Sequence, residues 1–200
     1  MGASTILDII GSIIIGGMML GIIVKLNGNA AQNIYLNSGE LACQQNLVST
    51  AQILETDFRR IGYCSGYTNI QDPTKAILLA DTGSIKFTAD INSDGTMDTI
   101  YYYLGPATAL VATANPRDKI LYRVVNGVTP TGSDAGITRF YLVYFNYVGD
   151  TIHCPVTAAN LPLITDVELN MNIENTSIDS SQIYAYWRQE KLAIPNIKNR

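Results

Sequence analysis

The chain has one histidine and three cysteines in 200 residues, and only 15% of its residues are charged. Each shortage removes a class of function. The single histidine, His153, sits beside Cys154. Neighbours in sequence seldom turn their side chains toward one another as a nucleophile and its base must. Neither a nucleophile elbow nor a phosphate-cradling glycine loop accompanies them. The sequence therefore reads as that of a non-enzyme, with His153 a loop residue. Cys43, Cys64 and Cys154 match no zinc spacing such as C-x-x-C. The 13 Lys and Arg are outnumbered by 17 Asp and Glu, for a net charge of −4. No basic run interleaves with aromatics, so nucleic acid is an unlikely partner. Internal repeats and low-complexity segments are missing as well.

What is present is 47% apolar residues, enough for one globular domain with its own core plus an accessory element. Twelve tyrosines nearly match the Lys and Arg together. With abundant Thr, Asn, Ser and Gly they indicate a polar, β-forming, exported protein.

The accessory element comes first. Ile6 to Val24 is apolar all round, interrupted by Asp8, Ser12 and the glycines at 11, 16, 17 and 21. At about 1.5 Å per residue it spans about 28 Å, the thickness of a bilayer's hydrocarbon core. No Lys or Arg precedes it, and the small residues Ala30 and Ala31 lie beyond Lys25, so a retained membrane helix fits better than a removed signal peptide. Lys25 is the only basic residue nearby, which leaves orientation undecided.

From Ala30 to Tyr63 the apolar residues Ile34, Leu41, Leu47, Val48, Ala51, Leu54, Phe58 and Ile61 recur at three-and-four spacing. That predicts an amphipathic helix continuing the first as one rod, since no proline occurs before Pro73. Gly28 and Gly39 are its weak points, and Gly62 with Cys64-Ser65-Gly66 supplies the stop. After about residue 70 the period changes to about two. Strands are expected at 77–79, 84–88, 99–104, 120–125, 140–147, 166–174 and 183–188, separated by Gly, Pro, Asn or Asp. The strict alternation of Asp166 to Glu174 predicts one wet face and one face against a core, most naturally the helix stripe. The fold class is α+β: a long N-terminal transmembrane and stalk helix packed against an antiparallel β-sheet head.

A carboxylate within a membrane span costs about 2.5 to 3.5 kcal/mol on insertion scales, so Asp8 needs either a hydrated boundary position or a cationic partner. Its neighbours favour the second. Ala3-Ser4-Thr5-Ile6-Leu7-Asp8 ahead of an apolar helix resembles the prepilin cleavage motif of type IV pilins and pseudopilins. The resemblance implies cleavage by a prepilin peptidase between Ala3 and Ser4, with a cut after Gly2 as the alternative. Ser4 would become an N-methylated terminus. Asp8 would stand where the family has its acidic assembly residue, which pairs with the terminal amine of a neighbouring subunit. Gly16 and Gly17, with Gly21, would let the helix unwind or approach another closely in a filament; ordinary transmembrane composition accounts for them too.

Further along, Ile53-Leu54-Glu55-Thr56-Asp57-Phe58-Arg59-Arg60-Ile61-Gly62-Tyr63 looks like the end of the long helix in larger minor pilins and J-type minor pseudopilins. Asp90 to Gly95, Tyr101 to Leu104, Leu121-Tyr122-Arg123 and Phe140 to Tyr144 are similar in order to the heads of W-type minor pilins. The resemblance implies a leader at 1–3, a membrane or filament-core helix at 4–25, an amphipathic stalk at 26–63 and an extracytoplasmic head at 64–200. The implied function is that of a structural subunit, a major or minor pilin or a pseudopilin, of a type IV pilus-like or type II secretion-like filament. The implied partners are other pilin-like subunits, the prepilin peptidase and the inner-membrane assembly platform. Its implied location is the inner membrane, then a periplasmic or extracellular filament. The competing reading is an uncleaved, single-pass surface protein whose head binds a ligand or partner.

Three further expectations rest on the residues themselves. Asp90, Asn92, Asp94, Thr96 and Asp98 place oxygens at alternate positions with Gly95 sixth, the spacing of an EF-hand-type calcium loop, although Tyr101 replaces the closing Glu. The same cluster between two strands is also what a hairpin turn wants. In an oxidising compartment Cys64 would pair with Cys154, since Cys43 falls in a helix; the alternative is three free thiols. Tyr184, Tyr186 and Trp187 alternate in one strand, either packing on the sheet or forming a contact surface.

Overall fold

A computed structural model of the chain describes residues 2–66, 72–110, 113, 115–174 and 185–198. Helix α1 runs from Gly2 to Arg59, 58 residues without a break, and the membrane-like and stalk segments are one element. The chain divides into two compact units, one up to Leu41 and one from Ala42 onward.

The first unit is helix alone. Ile6, Leu7, Ile9, Ile10, Ile13 and Ile14 are each at least half exposed, and so are all the large apolar side chains from there to Leu26. The helix contains a stretch long and apolar enough to cross a membrane, with mean hydropathy 2.3.

The second unit begins within α1. Cys43, Leu47, Ala51, Leu54 and Phe58 are buried, with Ile61 just past the helix end, so the stripe repeats every three or four residues. The expected stripe is thus buried only from Cys43 on. Ile34, Leu41 and Val48 belong to the same periodic pattern yet stay exposed. α1 stops because Gly62 takes a φ of 74°, a left-handed conformation that costs glycine nothing, and its N–H donates to the Thr88 carbonyl at 2.9 Å.

Eight strands follow among the described residues: β1 (Ile77–Asp81), β2 (Ser84–Ala89), β3 (Asp98–Leu104), β4 (Lys119–Val125), β5 (Thr131–Phe145), β6 (Thr151–Ile152), β7 (Asp166–Glu174) and β8 (Ala185–Ala193). They form one sheet in the order β1-β2-β3-β4-β5-β7-β8, with β6 paired to β5, and every pairing is antiparallel. A short C-terminal helix, α2 (Pro195–Lys198), ends the description.

One core joins the helix stripe to alternate residues of the sheet: Ile85 and Phe87 of β2, Ile100 and Tyr102 of β3, Leu142 and Tyr144 of β5, and Val167, Leu169, Met171 and Ile173 of β7. Phe58 is its hub, edge-on to Phe87 and Tyr102 with both ring centroids at 5.9 Å. The opposite face of β7 is not simply wet. Asp166, Asn170 and Glu174 are all buried, because β7 lies inside the sheet between β5 and β8. Arg117 and Asn115 cover Glu174, donating to its Oε2 at 2.8 and 3.0 Å.

β5 is the largest departure from expectation. Its first residues pair with β4 and its later ones with β7, and the switch is made at an irregularity around Gly136. Gly136 has a φ of 77°, and a Cβ there would lie 2.4 Å from the Glu174 carbonyl oxygen. The Gly-Ser-Asp-Ala-Gly run that reads as a loop is therefore strand bent around a bulge. β6, only two residues long, is too short to leave a periodic signal.

Candidate functional site

In the first unit, Ala3 and Ser4 fall in the first turn of α1. Asp8 is exposed, and its backbone carbonyl accepts the hydroxyl of Ser12 at 2.7 Å, a bond that keeps a serine compatible with apolar surroundings. Gly11, Gly16, Gly17 and Gly21 share one property: an added Cβ at any of them would meet nothing within 4 Å. Glycine inside a helix costs about 1 kcal/mol relative to alanine. Among the described residues, nothing occupies the space those glycines leave.

The head holds three polar constellations. The first joins helix to sheet. Asp57 sits on the buried face of α1, and its Oδ2 accepts the hydroxyl of Tyr102 at 2.6 Å and Nε of Arg123 at 2.8 Å. Arg123 Nε also donates to the Tyr102 oxygen at 2.9 Å. Burial, reinforced by the Asp57 charge, pushes the Tyr102 hydroxyl far above its usual range. Burial opposes the Arg123 charge, but the hydrogen bonds and charges of Asp57 and Tyr102 together outweigh it and hold the guanidinium charged. A buried ion pair of this kind fixes register more than it adds stability. Here it sets β3 and β4 against one turn of α1.

The second is the loop from Asp90 to Asp98. Asp90 has no exposed surface. Its Oδ2 accepts the Ser65 hydroxyl at 2.6 Å and the N–H groups of Ser65 and Gly95, both at 3.0 Å, while Oδ1 accepts the Asp94 N–H at 3.1 Å. These bonds, the Ser65 hydroxyl first, hold the Asp90 carboxyl down at about 2. Asp94 is lowered too, chiefly by the Thr96 hydroxyl. Asn92 accepts the Asp94 N–H, and Asp98 accepts Asn126 Nδ2 at 2.7 Å and the Ile91 N–H at 3.3 Å. Arg60, just past the end of α1, donates to the Ile91 carbonyl. The carboxylates proposed as calcium ligands are therefore turned onto protein donors. Among the described residues, no group of three or more acidic, His or Cys side chains is arranged to hold a metal ion. These hydrogen bonds hold the loop as a turn between β2 and β3.

The third concerns the cysteines, all three of them free. The expected Cys64–Cys154 bridge is corrected by the topology. Cys64 lies against the Gly95 carbonyl at the 90–98 loop. The Cys154 thiol lies by Thr82 and Asp81, at the other end of β2, and burial raises its pKa. The six residues of β2 cover about 20 Å, whereas bridged cysteines need Cα atoms within about 7 Å. Cys43 is buried in the core, which with the nearby Asp118 raises its pKa as well. His153 is exposed beside Cys154. Of the aromatic strand residues, Tyr184 and the side chains of Tyr186 and Trp187 lie outside the described residues.

Sequence reading missed the Asp57–Tyr102–Arg123 network and the Ser65–Asp90 anchor. The first had a signal: Asp57 falls three residues after Leu54 and four before Ile61, in the middle of the apolar stripe. The second had none, because Ser65 and Asp90 are joined only by tertiary folding.

Comparison of the chain with protein-family models, with curated proteins and with solved structures finds no match in any of the three.

Proposed function

We propose that this chain is a structural subunit of a type IV pilin-like filament, of the pilus or the type II secretion kind, held in the membrane by the first half of α1 before assembly. The observation that carries the reading is the contrast along α1. One face of its head-side half is buried by its own sheet, while residues 6–24 expose apolar side chains on every side, one carboxylate at Asp8, and glycines around which the described residues leave open space. A bilayer satisfies the apolar surface. It satisfies neither Asp8 nor the glycines. A second helix with a cation near Asp8 satisfies all three, and the terminal amine exposed by a cut between Ala3 and Ser4 would be that cation.

In this reading the prepilin peptidase releases residues 1–3, Ser4 becomes the methylated terminus, and an assembly platform lifts the subunit out of the inner membrane. Subunits then stack helix on helix and carry their heads outside. The rival reading, an uncleaved surface protein anchored by the same helix, uses the apolar surface, places Asp8 at a hydrated membrane boundary and takes the glycines as ordinary transmembrane composition.

Intact-mass and N-terminal peptide mass spectrometry of the protein from its native host decides between them. A chain beginning at Ser4 with one added methyl group is the expected result. A chain still beginning at Met1 overturns processing and leaves the anchored surface protein.

A further inference from the structure

The solvent face of β2, β3 and β4 carries a row of aromatic rings where alternation would place polar side chains. Tyr101, Tyr103 and Tyr122 stand there half-buried. Tyr101 stacks on Tyr103 with centroids 5.0 Å apart and planes at 27°, and Tyr103 stacks on Tyr122 at 5.0 Å and 24°. The Tyr122 end is closed. Its ring lies where Gly105 and Gly132 leave room, and a Cβ at those positions would come within 2.7 Å and 3.2 Å of ring carbons.

Tyr101 is the other end of the stack, so one face of its ring has no tyrosine against it among the described residues. It lines a groove of about 450 Å³ together with Lys86, Thr99, Val124, Asn126 and Gly127. Strand register puts Lys86 on one side of Tyr101 and Val124 on the other, with Thr99 two residues along β3. The groove is thus a slot: an aromatic wall, an apolar flank on β4, and an amine and a hydroxyl toward β2 and the end of β3.

Lys86 is exposed and forms no ion pair among the described residues. The carboxylate of Asp98, nearest in sequence to the slot, is taken by Asn126 and Ile91, which donate to it at 2.7 and 3.3 Å. A purely apolar ligand would strip water from Lys86 and the Thr99 hydroxyl without replacing it. A nucleic-acid strand would want a track of cations, and among the described residues Lys86 is the single one lining the groove. A ring with an apolar C–H face, hydroxyls on its rim and one negative charge satisfies every wall.

We propose that this groove binds an acidic pyranose, a sugar of the uronic acid class, with its C–H face on Tyr101 and its carboxylate on the Lys86 ammonium. The volume lies within the range of small-molecule pockets, and the stack fixes Tyr101 before the ligand arrives. The site belongs to the head and does not depend on how α1 is used.

The test titrates methyl β-glucuronoside and methyl β-glucoside separately into the full chain. Phosphocholine micelles avoid competition from sugar-based detergents, and binding is read by saturation-transfer NMR. The glucuronoside is expected to bind about tenfold tighter than the glucoside. Lys86→Met erases that preference, and Tyr101→Ala removes binding of both sugars. Lys86 is exposed, so its variant keeps the fold; Tyr101→Leu repeats the aromatic test with the bulk of the side chain retained. Failure of both sugars to saturate at millimolar concentration overturns the proposal. So does equal affinity for the two, or affinity that ignores Lys86→Met and Tyr101→Leu.

Discussion

The two halves of α1 carry apolar side chains of the same kinds, and these meet opposite fates. From Cys43 to Phe58 the apolar side chains vanish into a core that this chain completes by itself. From Ile6 to Leu26 they stay in the open, and so do Asp8 and the glycines. Periodicity is part of the reason: the head-side half is amphipathic and needs a single partner surface, whereas the N-terminal half is apolar on every side and needs an apolar surrounding. The head's residues are therefore tested by the stability of one chain. Those of the N-terminal half are tested by what surrounds them.

The sharpest test of that division is Asp8→Ala. Removing a carboxylate from an apolar span makes membrane residence cheaper by about 2.5 to 3.5 kcal/mol. Under the filament reading, the same change abolishes recovery of the subunit in sheared filaments and leaves thermal unfolding of the head unaltered. A variant that assembles normally would dissolve the contrast between the halves, because α1 would then be an anchor and nothing more.

Phe58→Ala is expected to break the other half. Its ring is fully buried and edge-on to Phe87 and Tyr102, and such truncations cost about 3 to 5 kcal/mol. Chemical denaturation should register that loss while membrane fractionation stays unchanged. Asp57→Ala comes next, at about 2 to 4 kcal/mol, because it leaves Arg123 and the Tyr102 hydroxyl facing one another without the carboxylate they share. Arg123 retains some exposure, which keeps the loss below that of a fully buried pair.

These residues also mark how far the sequence could be read. Phe58 and its stripe were legible because a helix repeats its buried face every three to four residues, and β2, β3 and β7 were legible because a strand repeats its own every two. The first half of β5 was not. A strand that changes partner at a bulge needs the glycines that elsewhere announce a loop, and the approach of Gly136 to Glu174 and of Gly132 to Ile120 and Tyr122 explains them. The tyrosine stack was hidden because Tyr101, Tyr103 and Tyr122 satisfy β-propensity whether or not their rings meet. The Cys64–Cys154 expectation failed because sequence carries no measure of the length of β2 standing between them.

A smaller effect separates the head's rigid parts from one another. Asp90 is held at about 2, below the range of an unfolded aspartate, near 3.8. A depressed carboxyl stabilises the fold wherever it is ionised in both states, so its contribution is complete above about pH 4 and disappears as pH falls toward 2. Melting temperature followed from pH 5 to pH 2 should fall across that window in the native chain. Asp90→Asn should melt lower at pH 7 and show a flatter fall in acid. Equal slopes would mean that the Ser65 and Gly95 contacts contribute nothing in solution.

The smallest expected effect concerns calcium. The loop's spacing matches a cation cage, but each carboxylate that would serve it already accepts N–H or O–H donors, and Asp90 accepts four. A cation binds only if its own coordination outweighs those bonds and the turn opens. Adding millimolar calcium, or removing it with a chelator, is therefore expected to move the melting temperature by less than about 1 °C, since stabilisation follows the ratio of cation concentration to dissociation constant and a cation that must first break those bonds binds weakly. A shift of several degrees, lost in Asp94→Ala, would mean that the loop has a second, cation-bound arrangement. The head would then share the property that sets the N-terminal half apart, being finished by something from outside the chain.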